Sequence, residues 1–223
     1  MTPPALPPDE ELLRRLQRDE ATFVMVLDAW SPGMLRLARS FVTTRASAEE
    51  VLQDTWLAVV GGLSSFQGRS SLRTWVYRIL VNTAKRRGQR ESRTVVSSSW
   101  EPDQAELGEP TVDPRRFQDA TEDYPGHWRA FPQPWPSPEG AALQAEVRGQ
   151  VQDALDALPA RQRVVVTLRD VEGYTSDEVC VILGISAANQ RVLLHRGRAA
   201  VRGTLEEYFA SGEASTTQGE GRA

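Results

Sequence analysis

Tyr174–Arg202 reads YTSDEVCVILGISAANQRVLLHRGRAAVR, and its pattern decides the fold of half the chain. Thr175 followed three residues later by Glu178 is a capping box that opens a short helix. Val179, Ile182 and Leu183 give that helix one apolar face. Gly184 supplies a tight-turn conformation that a branched residue resists, Ile185 plugs the angle, and Ser186 caps the next helix. Short helix, glycine turn and longer helix make a helix-turn-helix, whose second helix enters the major groove of DNA. That helix carries Ala187, Asn189, Gln190, Arg191, His195, Arg196, Arg198 and Arg202, with no acidic residue from Ile185 to Arg202. Amides and guanidiniums near a helix N-terminus bond base edges, and arginines further along suit phosphates. An ordinary helical hairpin with a polar face is the competing reading; turn, caps and charge together favour duplex DNA. Cys180, on the supporting helix, reads as a small buried hydrophobe. His195 and His127, the two histidines, lack companions at metal-ligand spacing, so no metal site is expected.

Upstream, Phe66–Arg87 reads FQGRSSLRTWVYRILVNTAKRR and holds the second informative pattern. From Gly61 to Arg93 eight basic residues face a single acid, Glu91, in a protein of net charge −4. Dense positive charge on a helix that also presents Trp75, Tyr77 and Asn82 fits single-stranded nucleic acid: cations hold phosphates, while rings and an amide engage unstacked bases. The plainer alternative is a solvated basic helix face. At helical spacing one of the two rings belongs to the core, and Trp75 is read as the structural one.

The remaining sequence frames these two patterns. Asp9 to Arg93 is helical by pattern: Leu12, Leu13, Leu16, Phe23, Val24 and Leu27 form a stripe, and Ser31-Pro32-Gly33 reads as a break. A further helix runs through Met34 to Val42, and Ser47 with Glu50 reads as a capping box for a third, ending at Gly61-Gly62. Ser70 or Ser71 caps the fourth. Residues 94–140 hold eight prolines, which regular structure does not accept, and from Thr94 to Glu146 ten acids oppose three arginines. This is a long acidic linker, and its six aromatics (Trp100, Phe117, Tyr124, Trp128, Phe131 and Trp135) are consistent either with a docking path or with a plain disordered tether. Helix returns from about Leu143 to Phe209, interrupted at Pro159, and a Gly/Ser/Thr-rich tail from 210 to 223 reads as disordered. Residues 1–8 read as a disordered start. The expected fold is therefore all-α: a four-helix domain over 9–93 and a helix-turn-helix domain over 141–209, joined by the linker. One cysteine excludes an internal disulfide and fits a reducing cytoplasm. The opening MTPPALPPDEELL lacks the pattern of a signal peptide, and no run approaches the length of a membrane span.

Together the two halves resemble the extracytoplasmic-function group of bacterial RNA polymerase sigma factors. AEEVLQDTW (Ala48–Trp56) and FQGRSSLRTWVYRILVNTAK (Phe66–Lys85) look like region 2 of that family. ALDALPARQRVVVTLRDVEGYTSDEVCVILGIS (Ala154–Ser186) and LHRGRAAVR (Leu194–Arg202) look like region 4. The resemblance implies a non-enzymatic protein without cofactor or small-molecule substrate, which recruits core RNA polymerase to promoters and helps to open the duplex. Glu50, Gln53, Asp54 and Trp56 correspond to the segment that docks on the polymerase. Phe66, Gln67, Arg69, Ser70, Arg73, Tyr77, Asn82, Lys85, Arg86 and Arg87 correspond to the element that captures the single-stranded −10 region. Ser186, Ala187, Asn189, Gln190, Arg191, His195, Arg196 and Arg198 correspond to the reader of the duplex −35 element. Gln190 stands where the family has an apolar residue and Val192 where it has a polar one, which means either a rotated helix or an amide tucked against the turn. An anti-sigma protein is a further implied partner.

Two other classes compete. A helix-turn-helix regulator that is not a polymerase subunit would share the C-terminal motif, but it leaves the basic stretch at 66–87 unexplained. A nucleic-acid enzyme would need a magnesium-binding carboxylate cluster or a phosphate-cradling glycine loop, and the helical blocks hold neither.

Overall fold

The structure, a computed structural model, describes residues 6–16, 18–91 and 141–217. The linker expected over 94–140 lies outside the described residues. All regular structure among the described residues is helical, as the apolar periodicities require, and it forms two packed halves.

The first half is a bundle of α1 (Asp9–Leu16), α2 (Glu20–Arg39), α3 (Arg45–Gly62) and α4 (Leu72–Arg90), with a 3-10 turn at Leu63–Ser65 before the loop into α4. Its first break is not at Ser31-Pro32-Gly33. Asp19 ends the α1–α2 connection instead, accepting hydrogen bonds from the Ala21 and Thr22 backbone amides at 3.1 and 3.2 Å. Helix α2 then runs through Pro32. Pro32 and Asp28, four residues before it, are both exposed, so water can replace the missing N–H donor at the Asp28 carbonyl. The N-cap of α3 also moves, from Ser47 to Thr44, whose hydroxyl accepts from the Ser47 amide at 3.0 Å. Glu50 is drawn away from any capping box by Arg87, at 2.5 Å across the α3–α4 seam. Ser71 caps α4 by accepting from the Thr74 amide at 3.1 Å. The Asp9 carboxylate accepts from the Leu72 amide at 2.8 Å, so the start of α1 is tied to the start of α4. Inside, Met34, Leu37, Phe41, Val51, Leu72 and Leu80 are fully buried. Trp30 stacks on Trp56 at 6.4 Å, and Phe23 meets Trp56 edge-on at 5.7 Å.

The second half comprises α5 (Ala141–Ala157), α6 (Ala160–Val166), α7 (Ser176–Leu183) and α8 (Ala187–Thr217). Pro159 is the N-cap of α6, and α6 widens into a π turn over Thr167–Val171. Helix α8 extends beyond Phe209 to Thr217, into the stretch that composition marked as a disordered tail. Between α7 and α8, Gly184 adopts φ +70°, and the Thr175–Glu178 capping box is fully formed.

Burial pushes the Glu178 carboxyl up, but hydrogen bonds from the Thr175 amide and hydroxyl, Thr74 and Ser71 outweigh it and hold the group below its ordinary value of 4.5. A depressed carboxyl adds stability above its unfolded value and loses that stability as pH falls through the folded one. Melting temperature should therefore decline from about pH 4.5 downward more steeply in the native chain than in Glu178→Gln.

The halves are in direct contact. Helix α4 lies against α7, and one continuous set of buried apolar side chains runs through both halves.

Candidate nucleic-acid interface

The loop before α4 and the outer face of α4 enclose a surface pocket lined by Ser65, Phe66, Gln67, Arg69, Ser70, Trp75, Arg78, Ile79 and Asn82, with Val181 of α7 at one edge. Gly68, at φ +67°, gives this loop a left-handed residue. Phe66 packs on Trp75 with ring centroids 5.3 Å apart, tilted by 53°. Gln67, Arg69, Arg78 and Asn82 are exposed around these rings. The pocket thus joins half-buried aromatic surface to two amides and exposed cations, the combination that holds an unstacked base and its phosphates.

Five of the residues expected at the −10 strand line this pocket: Phe66, Gln67, Arg69, Ser70 and Asn82. The two rings exchange their expected places. Tyr77 is 0% exposed, packed on Tyr174 at a centroid distance of 5.0 Å, whereas Trp75 borders the pocket. Burial, chiefly, raises the Tyr77 hydroxyl's pKa far above the ordinary phenol value, so it stays a neutral donor. Arg73 and Lys85 also turn to the second half: Arg73 pairs with Glu172 at 2.9 Å, and Lys85 donates to the Leu183 carbonyl at 3.1 Å. Burial lowers the Lys85 pKa. Arg87 is neutralised by Glu50 and Glu91, at 2.5 and 2.9 Å, while Arg86 is exposed beside Thr83.

On α8 the outward face carries Ala187, Arg191 and His195, with Ser186 just before it and Arg202 beyond. Ser186 accepts from the Asn189 amide at 3.2 Å, as an N-cap should. Asn189 and Gln190, expected among the −35 readers, do not lie on this outward face: they are 4% and 1% exposed, buried in the helix-turn-helix interior. The tucked-amide alternative is the one observed. It leaves Asn189 Oδ1 and Gln190 Nε2 buried without hydrogen bonds, at a cost in stability. Arg198 is occupied as well, in a bidentate pair with Asp170 at 2.6 and 2.9 Å. Arg191 and His195, one helical turn apart, are both exposed, with half-buried Arg196 beside them.

Helix α3 presents Glu50, Gln53, Asp54, Leu57 and Val60 outward. Trp56 is not on that face; it is buried in the stack with Trp30 and Phe23. The exposed apolar member is Leu57, 73% accessible, with Val60 a turn later. Sequence reading passed over both, although VLQDTWLAVV is apolar on more sides than one core face requires, and that was the available signal.

Residues 26–94 match the sigma-70 region 2 family, and residues 148–201 match sigma-70 region 4. The RNA polymerase sigma-H factor of Pseudomonas aeruginosa is 27% identical over 199 residues, covering 89% of this chain and 94% of that protein. The extracytoplasmic-function sigma-E factor of Salmonella typhimurium is 26% identical over 194 residues, covering 86% and 92%. Among solved structures, the sigma factor RpoE in complex with the anti-sigma factor NepR from Bartonella quintana superposes with a TM-score of 0.52 at 20% identity, over 82% of this chain and 96% of that one; it speaks for the fold. Two sigma-70 regions in order, each with its basic face, and similarity to sigma-H and sigma-E over most of both chains establish that this chain belongs to the extracytoplasmic-function group of RNA polymerase sigma factors.

Proposed function

We propose that the pocket around Phe66 captures a flipped base of the non-template −10 strand, and that α8 reads the −35 duplex through Arg191 and His195. The observation that carries this reading is the pocket itself: two adjoining rings, Phe66 and Trp75, ringed by Gln67, Asn82, Arg69 and Arg78 on the family's strand-opening segment. Asn82 supplies hydrogen bonds to the edge of the captured base, while Arg69, Arg78 and Arg86 hold phosphates. Ser186, Ala187 and Arg196 flank the −35 readers and set the depth of the helix in the groove. Gln53 and Asp54, with Leu57 and Val60 between exposed polar neighbours, form the docking face for core polymerase. The protein works in the cytoplasm as a binding subunit rather than an enzyme, and an anti-sigma protein is its proposed regulator, as NepR is the partner of RpoE in the solved complex.

Run-off transcription with purified bacterial core polymerase and mapped start sites tests the reading. A chain that neither assembles with core nor yields promoter-dependent transcript refutes it. Within that assay Arg191→Ala should weaken promoter use about 5- to 140-fold, the range of one lost base contact worth about 1–3 kcal/mol. The loss should be concentrated on templates with an intact −35 element.

A further inference from the structure

We propose that Glu172 is an internal stand-in for a DNA phosphate: it fills an oxyanion socket on the first half, closes the two halves on each other, and must leave before that socket can take a backbone phosphate of promoter DNA. The proposal rests on the sigma-factor reading given above.

The socket is built from Gly33, Arg36, Arg73 and Tyr77. Arg36 Nη2 meets Glu172 Oε1 at 2.7 Å, and Arg73 Nη2 meets Oε2 at 2.9 Å while its Nη1 donates to the Glu172 carbonyl at 3.1 Å. The Tyr77 hydroxyl donates to Oε2 at 3.1 Å. Gly33 leaves the space these groups surround: a Cβ there would lie 2.5 and 2.6 Å from the two carboxylate oxygens and 2.6 Å from the Tyr77 oxygen. The Glu172 side chain is only 5% exposed. Two guanidiniums and a phenol around one carboxylate leave a surplus of one positive charge. A phosphodiester offers the same ligand chemistry, a single negative charge shared by two free oxygens, and guanidiniums favour it.

Backbone geometry delivers Glu172 to this place. It follows the π turn at Thr167–Val171, its amide bonding back to the Thr167 carbonyl at 2.9 Å. Gly173, at φ +76°, then reverses the chain so that the Tyr174 amide reaches the Leu168 carbonyl at 2.9 Å. Tyr174 lies under the Arg73 guanidinium at 4.7 Å from its ring centre. Glu178 accepts from Thr74 at 2.9 Å, extending the seam. Arg73, Tyr77 and Lys85, all expected on the −10 strand, are thereby turned toward the second half.

Promoter geometry demands that the seam part. Elements centred near −10 and −35 lie about 25 base pairs apart, about 85 Å of duplex, whereas the closed halves touch at hydrogen-bond distance. A ligand that binds only the parted form is weakened by the fraction of chain in that form.

Single-molecule energy transfer between dyes at Asp28→Cys and Thr204→Cys, in a Cys180→Ser background, reads the separation of the halves. Anisotropy with a labelled oligothymidylate reads strand binding by the same chain without polymerase. Glu172→Gln should move the population to longer distance and tighten oligothymidylate on the order of 10-fold, the factor expected where the closed form holds about nine-tenths of the molecules. Gly33→Ala keeps the carboxylate and suits a helix, but its methyl group fills the socket. It should part the halves equally and tighten binding clearly less. Unchanged distances in both variants, parting without tightening in Glu172→Gln, or equal tightening in both would overturn the proposal. Far-UV circular dichroism confirms that each variant is folded. Run-off activity of the native chain reports separately on the sigma-factor reading, so either conclusion can fail without the other.

Discussion

Phe66→Ala should reduce promoter-dependent transcription from a fully paired template about 5- to 140-fold, and should largely recover on a template already unpaired around −10. The factor follows from stacking of one base on an aromatic ring, worth about 1–3 kcal/mol, at about 1.4 kcal/mol per tenfold change. Phe66 is suited to this because its partner is Trp75 in the pocket wall rather than the deep core. Its removal therefore takes away a face for a base without opening the bundle. Recovery on a premelted template separates capture of an extruded base from general loss of fold or of polymerase binding. An equal loss on both templates would place Phe66 in the scaffold and remove it from the base pocket. Asn82→Ala should follow the same pattern with a smaller factor, because it loses one side chain's hydrogen bonds and leaves the rings in place.

The second large effect is on stability. Gly88→Ala should destabilise the first half by about 1–3 kcal/mol, the usual cost of overpacking, lowering its melting temperature by about 4–8 °C per kcal/mol for a domain of this size. A Cβ at Gly88 would lie 2.4 Å from the Phe41 carbonyl oxygen, a backbone atom that cannot swing aside as a side chain can. Here α4 packs against the connection that follows α2, with Phe41 itself fully buried. Gly61→Ala is the matched control: it is also helical, and nothing lies within 4 Å of a Cβ added there. It should be neutral or stabilising by about 0.5–1 kcal/mol, since alanine loses less backbone entropy than glycine in a helix. If both substitutions behave alike under thermal or urea unfolding, the close contact of Gly88 with the Phe41 backbone does not set the packing of α4 there.

Local signals were legible where a chemical group acts on its own neighbourhood. Thr175 and Glu178 cap α7 as their three-residue spacing requires, and Gly184 takes the left-handed turn expected of it. The same local logic misled where two solutions competed. Thr44 and Ser47 each have a partner three residues on, and the choice fell to Thr44 because Glu50 pairs with Arg87 of another helix. Pro32 read as a break, yet Asp19 offered a stronger start and α2 passed through the proline on its exposed side.

By itself, then, the sequence determined that the chain is helical, that it has a strand-opening segment and a helix-turn-helix in sigma-factor order, and which segments carry the positive charge. Those properties follow from periodicity, capping and charge, all of which act within a few residues. Tertiary structure alone decided which members of each set face outward. Trp75 rather than Tyr77 borders the surface pocket, Arg191 and His195 rather than Asn189 and Gln190 are exposed on α8, and Leu57 rather than Trp56 is exposed on α3. It also brought Glu172 into a socket made by residues more than ninety positions away. The physical reason is that a helical stripe fixes which side chains share a face, while only packing against a partner fixes whether that face looks inward or out.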